Sequence, residues 1–596
     1  MHSTSAVAGH ERFTVCRKAV VQELIKPARV VARGEGKWFI DFGRACFGGL
    51  ELVLDKPEAG RKVTARLGEK LAAPEEIDRQ PGGSVRYLEA AVVLAAGRSV
   101  YRLELGEKDG RLMPDAVGPV MPFRYAELEG LPTGLGEKEL RNGAVRQVMA
   151  FYPFDDGAAD FSCADNQLNA IWEMCKHTIK ATSFGGVFVD GDRERKPYEA
   201  DAYINQLGWY CCTTDVTLPR HTHEYLMLHP TWPTEWILFS VLIAWEDYVY
   251  TGDDASLRAF YDDLKAKTLQ ALARDDGLIS TVKPAVSESV LASIYLQEKL
   301  QDIVDWPWAE RDGCDTRPVN TVVNAFHCRA LTLMARIAEV VGHLQDAAVF
   351  RTAARHATDS LNEKLVDRVT GLYVDGEGST HSCLHANLFP LAFGLVPAER
   401  KERVLAFIEG RGMACSVYAA QFLMDVLFDH QRGDAALALM TAPGNRSWRH
   451  MVEDVGTTLA LEAWDNQYKP NQDWNHAWGA APANVLPRKV LGIEPLEPGM
   501  SRVLIWPRAG KLAWAKGKIP TVKGTIAVEW ERTGADGFRM EIELPPGIVA
   551  RVGLPRLGGT VEVDVDGQEK KGEERDGAVF VEIVDAGRHR CELRTR

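Results

Sequence analysis

Between residues 12 and 150 the chain alternates apolar and polar positions with a period of two. The alternation is clearest at 38–42, 51–54, 62–67 and 99–105, in segments separated by glycine, proline and aspartate. Because successive side chains of a strand point to opposite faces, this pattern indicates strands with one buried face. It predicts an antiparallel β-sandwich domain over residues 1–155.

From residue 156 the apolar positions recur with a period of about 3.6, as on one face of a helix. Two such faces are formed by Leu168, Ile171, Trp172, Cys175 and Ile179, and by Ala330, Leu333, Met334, Ile337 and Val341. Helical signals continue to about residue 493, a length that holds roughly a dozen helices with their loops. They predict a closed double ring of helices over residues 156–495.

The helical pattern ends at residues 494–499, where two prolines and a glycine interrupt it. Alternation then returns at 525–530, 538–544 and 561–565. It predicts a second antiparallel β-sandwich over residues 496–596. The predicted fold is therefore multidomain α and β, with a helical domain between two sandwiches.

Composition limits the class of protein and its partners. The 596 residues, 46% hydrophobic and 26% charged, are typical of a multidomain globular protein. A formal net charge of −13 without a basic face argues against a nucleic-acid partner. No segment is apolar enough to cross a membrane, and residues 1–18 lack the apolar core of a secretory signal.

The eleven cysteines are scattered and odd in number, and Cys211 and Cys212 are adjacent, which does not fit a disulfide framework. A reducing compartment fits better, so the sequence predicts a cytoplasmic protein. The oligomeric state stays open, with a homodimer as one option.

The densest group of charges lies at residues 190–201, directly after the apolar run 187–189. Five acids and three bases occur within these twelve residues. Carboxylates this close repel one another, and their pKa values separate so that one can keep its proton near neutrality. The segment therefore carries the groups that acid/base chemistry needs.

A solvated loop is the plainer interpretation of this segment, with Asp190 in a turn and Asp201 capping a helix. Two features favour a binding loop instead. Pro197 keeps Lys196 out of the helical region, so that a loop is held between two elements, where catalytic groups are usually presented. The aromatic ring of Tyr198 suits a sugar-binding loop.

A second group of candidate residues lies at 456–465 and 473–479, where carboxylates, amides and indoles alternate. It includes Glu462, Trp464 and His476. Indole faces stack on the C–H faces of pyranose rings, while Asn, His and Asp side chains bind hydroxyls. Indoles that fill gaps between helices are the alternative, but the repeated acid beside tryptophan favours a sugar site.

The domain order and these motifs resemble the bacterial α-L-rhamnosidases of glycoside hydrolase family 78, over nearly the whole chain. The motifs are Asp190-Gly191-x-Arg193-Glu194-Arg195 with Asp201, Gly456-Thr457-Thr458 with Glu462-x-Trp464, and Asn475-His476-x-x-Gly479. The resemblance implies an (α/α)6 six-hairpin barrel flanked by two antiparallel β-sandwich domains. It also implies an exo-acting, inverting glycoside hydrolase that releases terminal α-L-rhamnose or a closely related sugar.

In the roles that the resemblance implies, Glu194 is the general acid and Glu462 the general base, acting through water. The candidate substrate-binding residues are Asp190, Arg193, Tyr198, Asp201, Asp305, Trp306, Trp464 and His476. Crowding by other acids is expected to keep Glu194 protonated, while Arg193 and Arg195 keep neighbouring carboxylates ionised. Two loops distant in sequence can supply the roughly 6.5–9.5 Å between carboxyls that inversion requires. Neither a cofactor nor a metal is expected.

Two departures from the family pattern leave alternatives open. Glu199 is an extra acid where the family has aromatic-x-Gly-Asp, and it is an alternative proton donor. One residue is inserted between the threonine pair and Glu462, which leaves Asp465 and Glu453 as alternative bases.

Other functions also stay open at this point. A catalytically silent carbohydrate-binding protein is one alternative, because a fold does not guarantee an activity. Another (α/α)6 glycosidase, or a lyase, is a second, although a lyase needs a Tyr or His base near a cationic clamp. The two carboxylates Glu194 and Glu462 favour an enzyme. His221 and His223 are two residues apart and cannot share a helical face, so they do not predict a metal site.

Overall fold

The computed structural model of the protein describes residues 10–106, 112–114, 116–282, 286–534, 537–556 and 561–595. It has a β-rich region, then a helical region, then a second β-rich region, in the predicted order. The sequence predicts no secretory signal in residues 1–18. Of these, residues 1–9 lie outside the described residues. The exact domain bounds stay a prediction.

The N-terminal region is a curved antiparallel sheet. Its strands are β1 (Val21–Ile25), β2 (Arg29–Gly34), β3 (Lys37–Val53), β4 (Lys62–Gly68), β5 (Leu71–Ala73), β6 (Glu76–Ile77), β7 (Tyr87–Val93), β8 (Val100–Arg102), β9 (Met121–Glu129) and β10 (Val145–Phe151). Eight of them form one sheet in the order β1-β10-β3-β9-β4-β7, with β2 and β8 also paired to β3. A register shift between Asp41 and Cys46 bends the long β3 around a core that includes Phe42, Leu50 and Phe123.

The helical region follows a short strand, β11 (Asp160–Cys163). The helices of the described residues are α1 (Glu137–Glu139), α2 (Asn166–Ala181), α3 (Glu199–Cys212), α4 (Thr217–Leu228), α5 (Thr234–Thr251), α6 (Ala255–Ala259), α7 (Tyr261–Lys267), α8 (Glu288–Ser293), α9 (Thr321–Val341), α10 (Leu344–Lys364), α11 (Leu384–Ala392), α12 (Ala398–Arg411), α13 (Ala420–Asp429), α14 (Gly433–Met440), α15 (Trp448–Glu453) and α16 (Pro482–Val485).

These helices form two concentric rings. The inner ring runs α3, α5, α9, α11, α13 and α16, and it closes because α16 contacts α3 again. Helices α2, α4, α7, α10, α12 and α14 pack outside these. The sequence prediction of a closed double ring, an (α/α)6 barrel, is confirmed.

Apolar packing accounts for the ring. The inner helices are buried along most of their length, and the rings of Phe239, Phe326, Phe389 and Phe422 meet at its centre. Both predicted helical faces are buried, from Leu168 to Ile179 on α2 and from Ala330 to Val341 on α9. Side-chain oxygens of Asp165 and Asn320 cap the first turns of these two helices.

The C-terminal region holds two packed sheets. Its strands are β12 (Ile493–Pro495), β13 (Arg502–Ile505), β14 (Trp514–Thr521), β15 (Gly524–Arg532), β16 (Phe538–Leu544), β17 (Val549–Pro555), β18 (Val561–Val565), β19 (Gln568–Lys570), β20 (Glu573–Arg575), β21 (Ala578–Ile583) and β22 (Gly587–Thr595). One sheet has the order β11-β14-β15-β16-β22-β18-β19 and the other β12-β13-β17-β21-β20. The pair β13 and β17 is parallel, which corrects the prediction of a wholly antiparallel sandwich.

Because β11 pairs with β14, the chain contributes a strand to the C-terminal sheet before it enters the helical region. This pairing ties the C-terminal region to the start of α2. None of the helices in the described part of the chain has both the length and the low polarity that a bilayer crossing requires.

Candidate active site

A pocket of about 550 Å³ opens at the end of the ring where helices α3 and α5 begin. Its lining residues are Asp190, Arg193, Glu194, Lys196, Pro197, Tyr198, Asp201, Tyr225, His229, Pro230, Thr231, Trp232, Trp236, Glu298, Ile303, Trp306, Glu462, His476 and Trp478. The pocket therefore brings together eight of the ten site residues predicted from sequence. The missing two are Asp305 and Trp464.

The charged segment at residues 190–201, here called the acidic loop, is closed by two hydrogen bonds between Asp190 and Lys196. Asp190 N–H donates to the Lys196 carbonyl at 2.9 Å, and Lys196 N–H donates to Asp190 Oδ1 at 2.8 Å. Gly191 adopts φ +134°, and a Cβ there would lie 2.7 Å from Asp473 Oδ2, so only glycine fits. The loop thus holds its charged side chains in fixed directions.

Arg195 anchors this loop beneath the pocket. It forms a fully buried ion pair with Asp192 at 2.6 Å and donates to the Val120 carbonyl at 2.7 Å. Its guanidinium also lies over the Phe184 ring, 5.1 Å from the centroid. Arg195 therefore fixes the loop against the N-terminal region and does not reach the pocket.

Arg193 joins the two candidate catalytic carboxylates. Its Nη1 donates to Glu462 Oε2 at 2.6 Å and its Nη2 to Glu462 Oε1 at 3.0 Å, a two-pronged ion pair. The same Nη2 lies 3.3 Å from Glu194 Oε1, and Tyr198 Oη donates to Glu194 Oε2 at 2.6 Å. One guanidinium therefore bridges carboxylates that are far apart in sequence.

The two glutamates differ in exposure. The Glu462 side chain is 2% exposed, whereas that of Glu194 is 35% exposed. Burial raises the pKa of Glu462, but His476, Arg193 and Lys469 outweigh it and hold that pKa below the ordinary value. Glu462 is therefore ionised and able to accept a proton.

The sequence prediction that neighbouring acids keep Glu194 protonated is wrong for the pocket without substrate. Burial raises its pKa, but the Tyr198 hydroxyl and the Arg193 guanidinium outweigh it, and the pKa lies below the ordinary value. The nearest charged group is a cation and not a second acid, which reverses the expected shift.

Buried polar groups form the floor of the pocket. His476 Nε2 pairs with Asp201 Oδ1 at 2.7 Å; burial lowers the pKa of His476, but the Asp201 carboxylate outweighs this and raises it. Asp190 Oδ2 has no hydrogen-bond partner among the described residues, and burial raises the pKa of this carboxyl well above its usual range. Unpaired groups of this kind are suited to sugar hydroxyls.

Aromatic side chains form the walls. Of the five tryptophans between residues 232 and 308, Trp232, Trp236 and Trp306 line the pocket. Trp245 and Trp308 do not: Trp245 packs on Tyr248, and Trp308 is 54% exposed. Trp478 and Tyr198 complete the apolar surface, and Trp236 contacts both rings edge-on.

Asp305 and Trp464 do not reach the pocket, which corrects their placement there. Asp305 is fully buried and accepts hydrogen bonds from His385 Nε2 at 2.6 Å and from the Trp306 backbone N–H at 2.7 Å. It therefore holds Trp306 in place from behind. Trp464 is fully buried beside Trp448 and donates to the Cys415 carbonyl at 2.7 Å, as a core residue does.

The alternative acids also lie outside the pocket. Glu199 is buried at the start of α3, where it accepts a hydrogen bond from the Thr231 backbone N–H at 3.1 Å. Asp465 pairs with His450 at 3.0 Å, and Glu453 pairs with Arg449 on the surface. None of these three is among the lining residues.

Sequence reasoning did not place Asp473, Tyr225, His229 or Glu69 among the site residues, although Asp473 begins the candidate group 473–479. Asp473 Oδ2 accepts the Arg193 backbone N–H at 3.1 Å, and burial together with Glu462 raises the pKa of Asp473 to about 7. Its place in the motif around Asn475 was a usable signal. Tyr225 and His229 lie at the end of α4, where no motif marks them.

Glu69 connects the N-terminal region to the acidic loop. Its Oε1 accepts from Asn475 Nδ2 at 2.8 Å, and Asn475 Oδ1 accepts the Asp192 backbone N–H at 2.9 Å. Glu69 Oε2 accepts the Arg86 N–H at 3.0 Å, and burial raises the pKa of Glu69 to about 8. A residue just after β4 thus supports the loop that carries Arg193.

Glu462, Asp473 and His476 have ligand atoms within 4.8 Å of one another, a spacing that a metal ion would accept. However, the Glu462 oxygens are already paired with Arg193 and Lys469, so this carboxylate is not free to bind a cation. The chemistry that the pocket supports is proton transfer by its carboxyl groups.

Two family models match the chain. Residues 156–490 match the bacterial alpha-L-rhamnosidase 6 hairpin glycosidase domain, and residues 492–569 match the bacterial alpha-L-rhamnosidase C-terminal domain. An alpha-L-rhamnosidase of Alteromonas sp. (strain LOR) is 24% identical over 466 residues, 72% of this chain and 48% of that protein. One of Formosa agariphila is 20% identical over 571 residues, 87% of this chain and 55% of that protein.

Solved structures show the same fold. The alpha-L-rhamnosidase of Dictyoglumus thermophilum has a TM-score of 0.78 at 19% identity, over 96% of this chain and 63% of that one. That of Streptomyces avermitilis, complexed with L-rhamnose, has a TM-score of 0.76 at 19% identity, over 96% of this chain and 54% of that one. The chain spans about half the length of the curated relatives it matches. Because the first family model alone covers more than half of the sequence, the chain belongs to the bacterial α-L-rhamnosidase family of six-hairpin glycosidases.

Proposed function

We propose that the protein is an exo-acting, inverting glycoside hydrolase that releases terminal α-L-rhamnose or a closely related sugar. The observation that carries the proposal is the single guanidinium of Arg193, which contacts both Glu194 and Glu462 at one pocket. Family membership supports the same reaction class. A pocket with a buried polar floor suits the end of a sugar chain and not its middle.

The difference in exposure supports the division of roles. In an inverting reaction the acid protonates the leaving-group oxygen while the base activates a water on the opposite face of the ring. Glu194 is the more exposed of the two, at 35%, so we assign it to the side from which an aglycone leaves, as the acid. The buried, ionised Glu462 is the proposed base.

For Glu194 to act as the acid, it has to gain a proton once the substrate is bound. A sugar that fills the pocket excludes water from this carboxyl, and loss of solvation favours its neutral form. The sugar also brings the leaving-group oxygen into the space beside Tyr198. The proposal therefore includes a rise in the pKa of Glu194 on binding.

Asp190, Asp201 and His476 are the proposed contacts for the hydroxyls of the terminal sugar. Trp236, Ile303 and Trp306 offer apolar surface to the C–H face and to the methyl group of a 6-deoxy sugar. The relatives from Alteromonas and Formosa are named alpha-L-rhamnosidases, and the Streptomyces structure is described as holding L-rhamnose. These names support rhamnose as the sugar.

The test is hydrolysis of a panel of aryl glycosides with α-L-rhamnoside included. We expect turnover of the α-L-rhamnoside. Glu462→Gln should abolish it, whereas Glu194→Gln should slow it least when the aryl group leaves without a proton. A silent carbohydrate-binding protein would bind L-rhamnose in calorimetry but hydrolyse no member of the panel. Turnover of another glycoside alone would overturn the sugar assignment and keep the reaction class.

The carbohydrate substrate is the only partner that we propose. The domain bounds 1–155, 156–495 and 496–596, the cytoplasmic location and the homodimer stay predictions.

A further inference from the structure

We propose that Cys314, Asp375 and Cys383 form a binding site for one thiophilic divalent cation, of which Zn²⁺ is the type. The two thiol sulfurs and a carboxylate oxygen lie within 4.8 Å of one another. The site lies outside the sugar pocket, and no motif or residue assignment above includes it. It also departs from the expectation, made from sequence, that the protein holds no metal.

The three ligands come from separate segments that the fold brings together. Cys314 follows the turn that ends at Glu310, Asp375 precedes α11, and Cys383 is the cap residue of α11. Zinc bonds of about 2.3 Å to sulfur and 2.0–2.2 Å to oxygen place ligand atoms roughly 3.5–4 Å apart around one ion. A closure of roughly 0.8–1.3 Å at the widest spacing would therefore bring the ligand atoms into coordination range. Thiolate ligands select soft cations over Mg²⁺ or Ca²⁺.

Contacts around the ligands already orient them. Asp375 Oδ1 accepts the Cys383 backbone N–H at 2.7 Å, and Oδ2 accepts the Asp315 backbone N–H at 2.7 Å. One carboxylate thus fixes the segments that carry both cysteines. Oδ2 also pairs with His381 Nδ1 at 2.6 Å. Hydrogen bonds of this kind to a ligating carboxylate are usual at metal sites.

The Cys383 sulfur lies at the start of a helix. It accepts the Ala386 backbone N–H at 3.3 Å, as the capping atom of α11. This contact fixes the direction of the Cys383 sulfur, while burial raises the pKa of its thiol well above the ordinary value.

A second and independent observation is an excess of buried donors beside the thiols. The Arg311 guanidinium is 4% exposed, its Nη1 and Nη2 have no hydrogen-bond partner among the described residues, and it interacts electrostatically with Cys314. His385 is fully buried and bonded to Asp305 through Nε2. Its Nδ1 makes no hydrogen bond of normal geometry within the described part of the chain, while the ring interacts with the Cys383 thiol.

Leaving buried donors unpaired is costly, by about 1–3 kcal/mol for each. Neutral thiols are weak acceptors, whereas two metal-bound thiolates would supply negative charge to both Arg311 and His385. The site also has an entry path, because Cys314 is only partly buried and the His381 side chain is 46% exposed. A water molecule can complete the fourth position from that side.

The test uses the full chain, reduced without oxygen and stripped with a chelator. Titration with Zn²⁺ by calorimetry should show one bound equivalent, and Co²⁺ should give the thiolate-to-metal charge-transfer band. The variants Cys314→Ser and Cys383→Ser should neither bind the equivalent of Zn²⁺ nor give the Co²⁺ charge-transfer band. Cys16→Ser is the matched control, because Cys16 is exposed and remote from the site, and it should keep both.

Cys383 caps a helix, so its variant has a risk of misfolding, whereas Cys314 is partly exposed and its variant alone is sufficient. An equivalent of Zn²⁺ that persists in Cys314→Ser would overturn the proposal and place the ion elsewhere, as at Glu462, Asp473 and His476. Reduced protein that binds no Zn²⁺, but forms a Cys314–Cys383 disulfide with peroxide in mass spectrometry, would also overturn it, because the pair would then be redox-active.

Discussion

Arg193 and Glu462, 269 residues apart in sequence, form a two-pronged ion pair with distances of 2.6 and 3.0 Å. This pair joins the acidic loop to the loop that follows α15. Because the same guanidinium contacts Glu194, it sets the protonation of both candidate catalytic carboxyls at once. The pH dependence of the reaction is therefore the property most sensitive to Arg193.

Arg193→Met should shift both limbs of the pH profile of kcat/KM to higher pH. Arg193 helps hold the pKa of Glu462 and of Glu194 below ordinary values, so its removal raises both. The ascending limb follows ionisation of the base, and the descending limb follows deprotonation of the acid. In the unmodified protein the optimum should lie on the acid side of neutrality.

Arg193→Lys is the matched control for this profile, since it keeps the positive charge but not the two-pronged geometry. It should lower the rate and move the limbs less than Arg193→Met does. If Arg193→Met and the unmodified protein have the same pH profile of kcat/KM, the ionisation of neither glutamate controls the rate.

Glu194→Gln should slow cleavage of a natural rhamnoside by about 10²–10⁴-fold, the usual contribution of a general acid. Cleavage of an aryl rhamnoside should slow much less, because its phenolate leaving group departs without a proton. Glu199→Gln is the control, since Glu199 is buried behind the pocket and bonded to Thr231. Leaving-group dependence in Glu199→Gln, and none in Glu194→Gln, would transfer the acid role to Glu199.

Asp201→Asn should lower kcat/KM for the rhamnoside by about 10- to 100-fold, the loss expected for a charge-assisted hydrogen bond. The change removes the partner of His476 as well as an acceptor for a sugar hydroxyl. Asp454→Asn alters a comparable Asp–His pair with His450 on the surface and should leave the kinetics unchanged. Steady-state kinetics of the two variants decides this point. If both behave alike, Asp201 is only the first-turn residue of α3.

Glu69→Ala should lower kcat/KM by about 10- to 100-fold, since small displacements of positioned groups cost rates of that order. Without Glu69, the Asn475 amide loses its partner, and the Asp192 backbone that precedes Arg193 is less firmly held. Glu89→Ala removes an exposed carboxylate of the same sheet, paired with Arg66, and serves as the control. A Glu69→Ala variant with a lower melting temperature but normal kcat/KM would restrict Glu69 to a structural role.

The sequence predicts the three-part fold because the apolar positions of each part recur with a single clear period. Alternation at 38–42 and 525–530 and helical faces on α2 and α9 all lie where expected, since one face of each element is buried. The parallel pairing of β13 with β17 and the contribution of β11 to the C-terminal sheet were not predicted. These pairings depend on tertiary contacts that local periodicity does not record.

The candidate site was predicted where charge and aromatic groups are dense in sequence. Trp464 and Asp305 share that density but face the core, because the direction of a side chain in a loop follows from packing and not from spacing. Glu69 was missed as a site residue for the converse reason. It lies just after β4, in the N-terminal region, and is linked to the acidic loop through Asn475.

The central claim is that Glu194 and Glu462 act as acid and base on opposite faces of a rhamnoside bound in this pocket. Proton NMR of the sugar first released from an aryl α-L-rhamnoside tests it most directly, before mutarotation mixes the anomers. We predict β-L-rhamnose as the first product. Initial release of α-L-rhamnose would mean a covalent glycosyl-enzyme intermediate and would contradict the roles given to both glutamates.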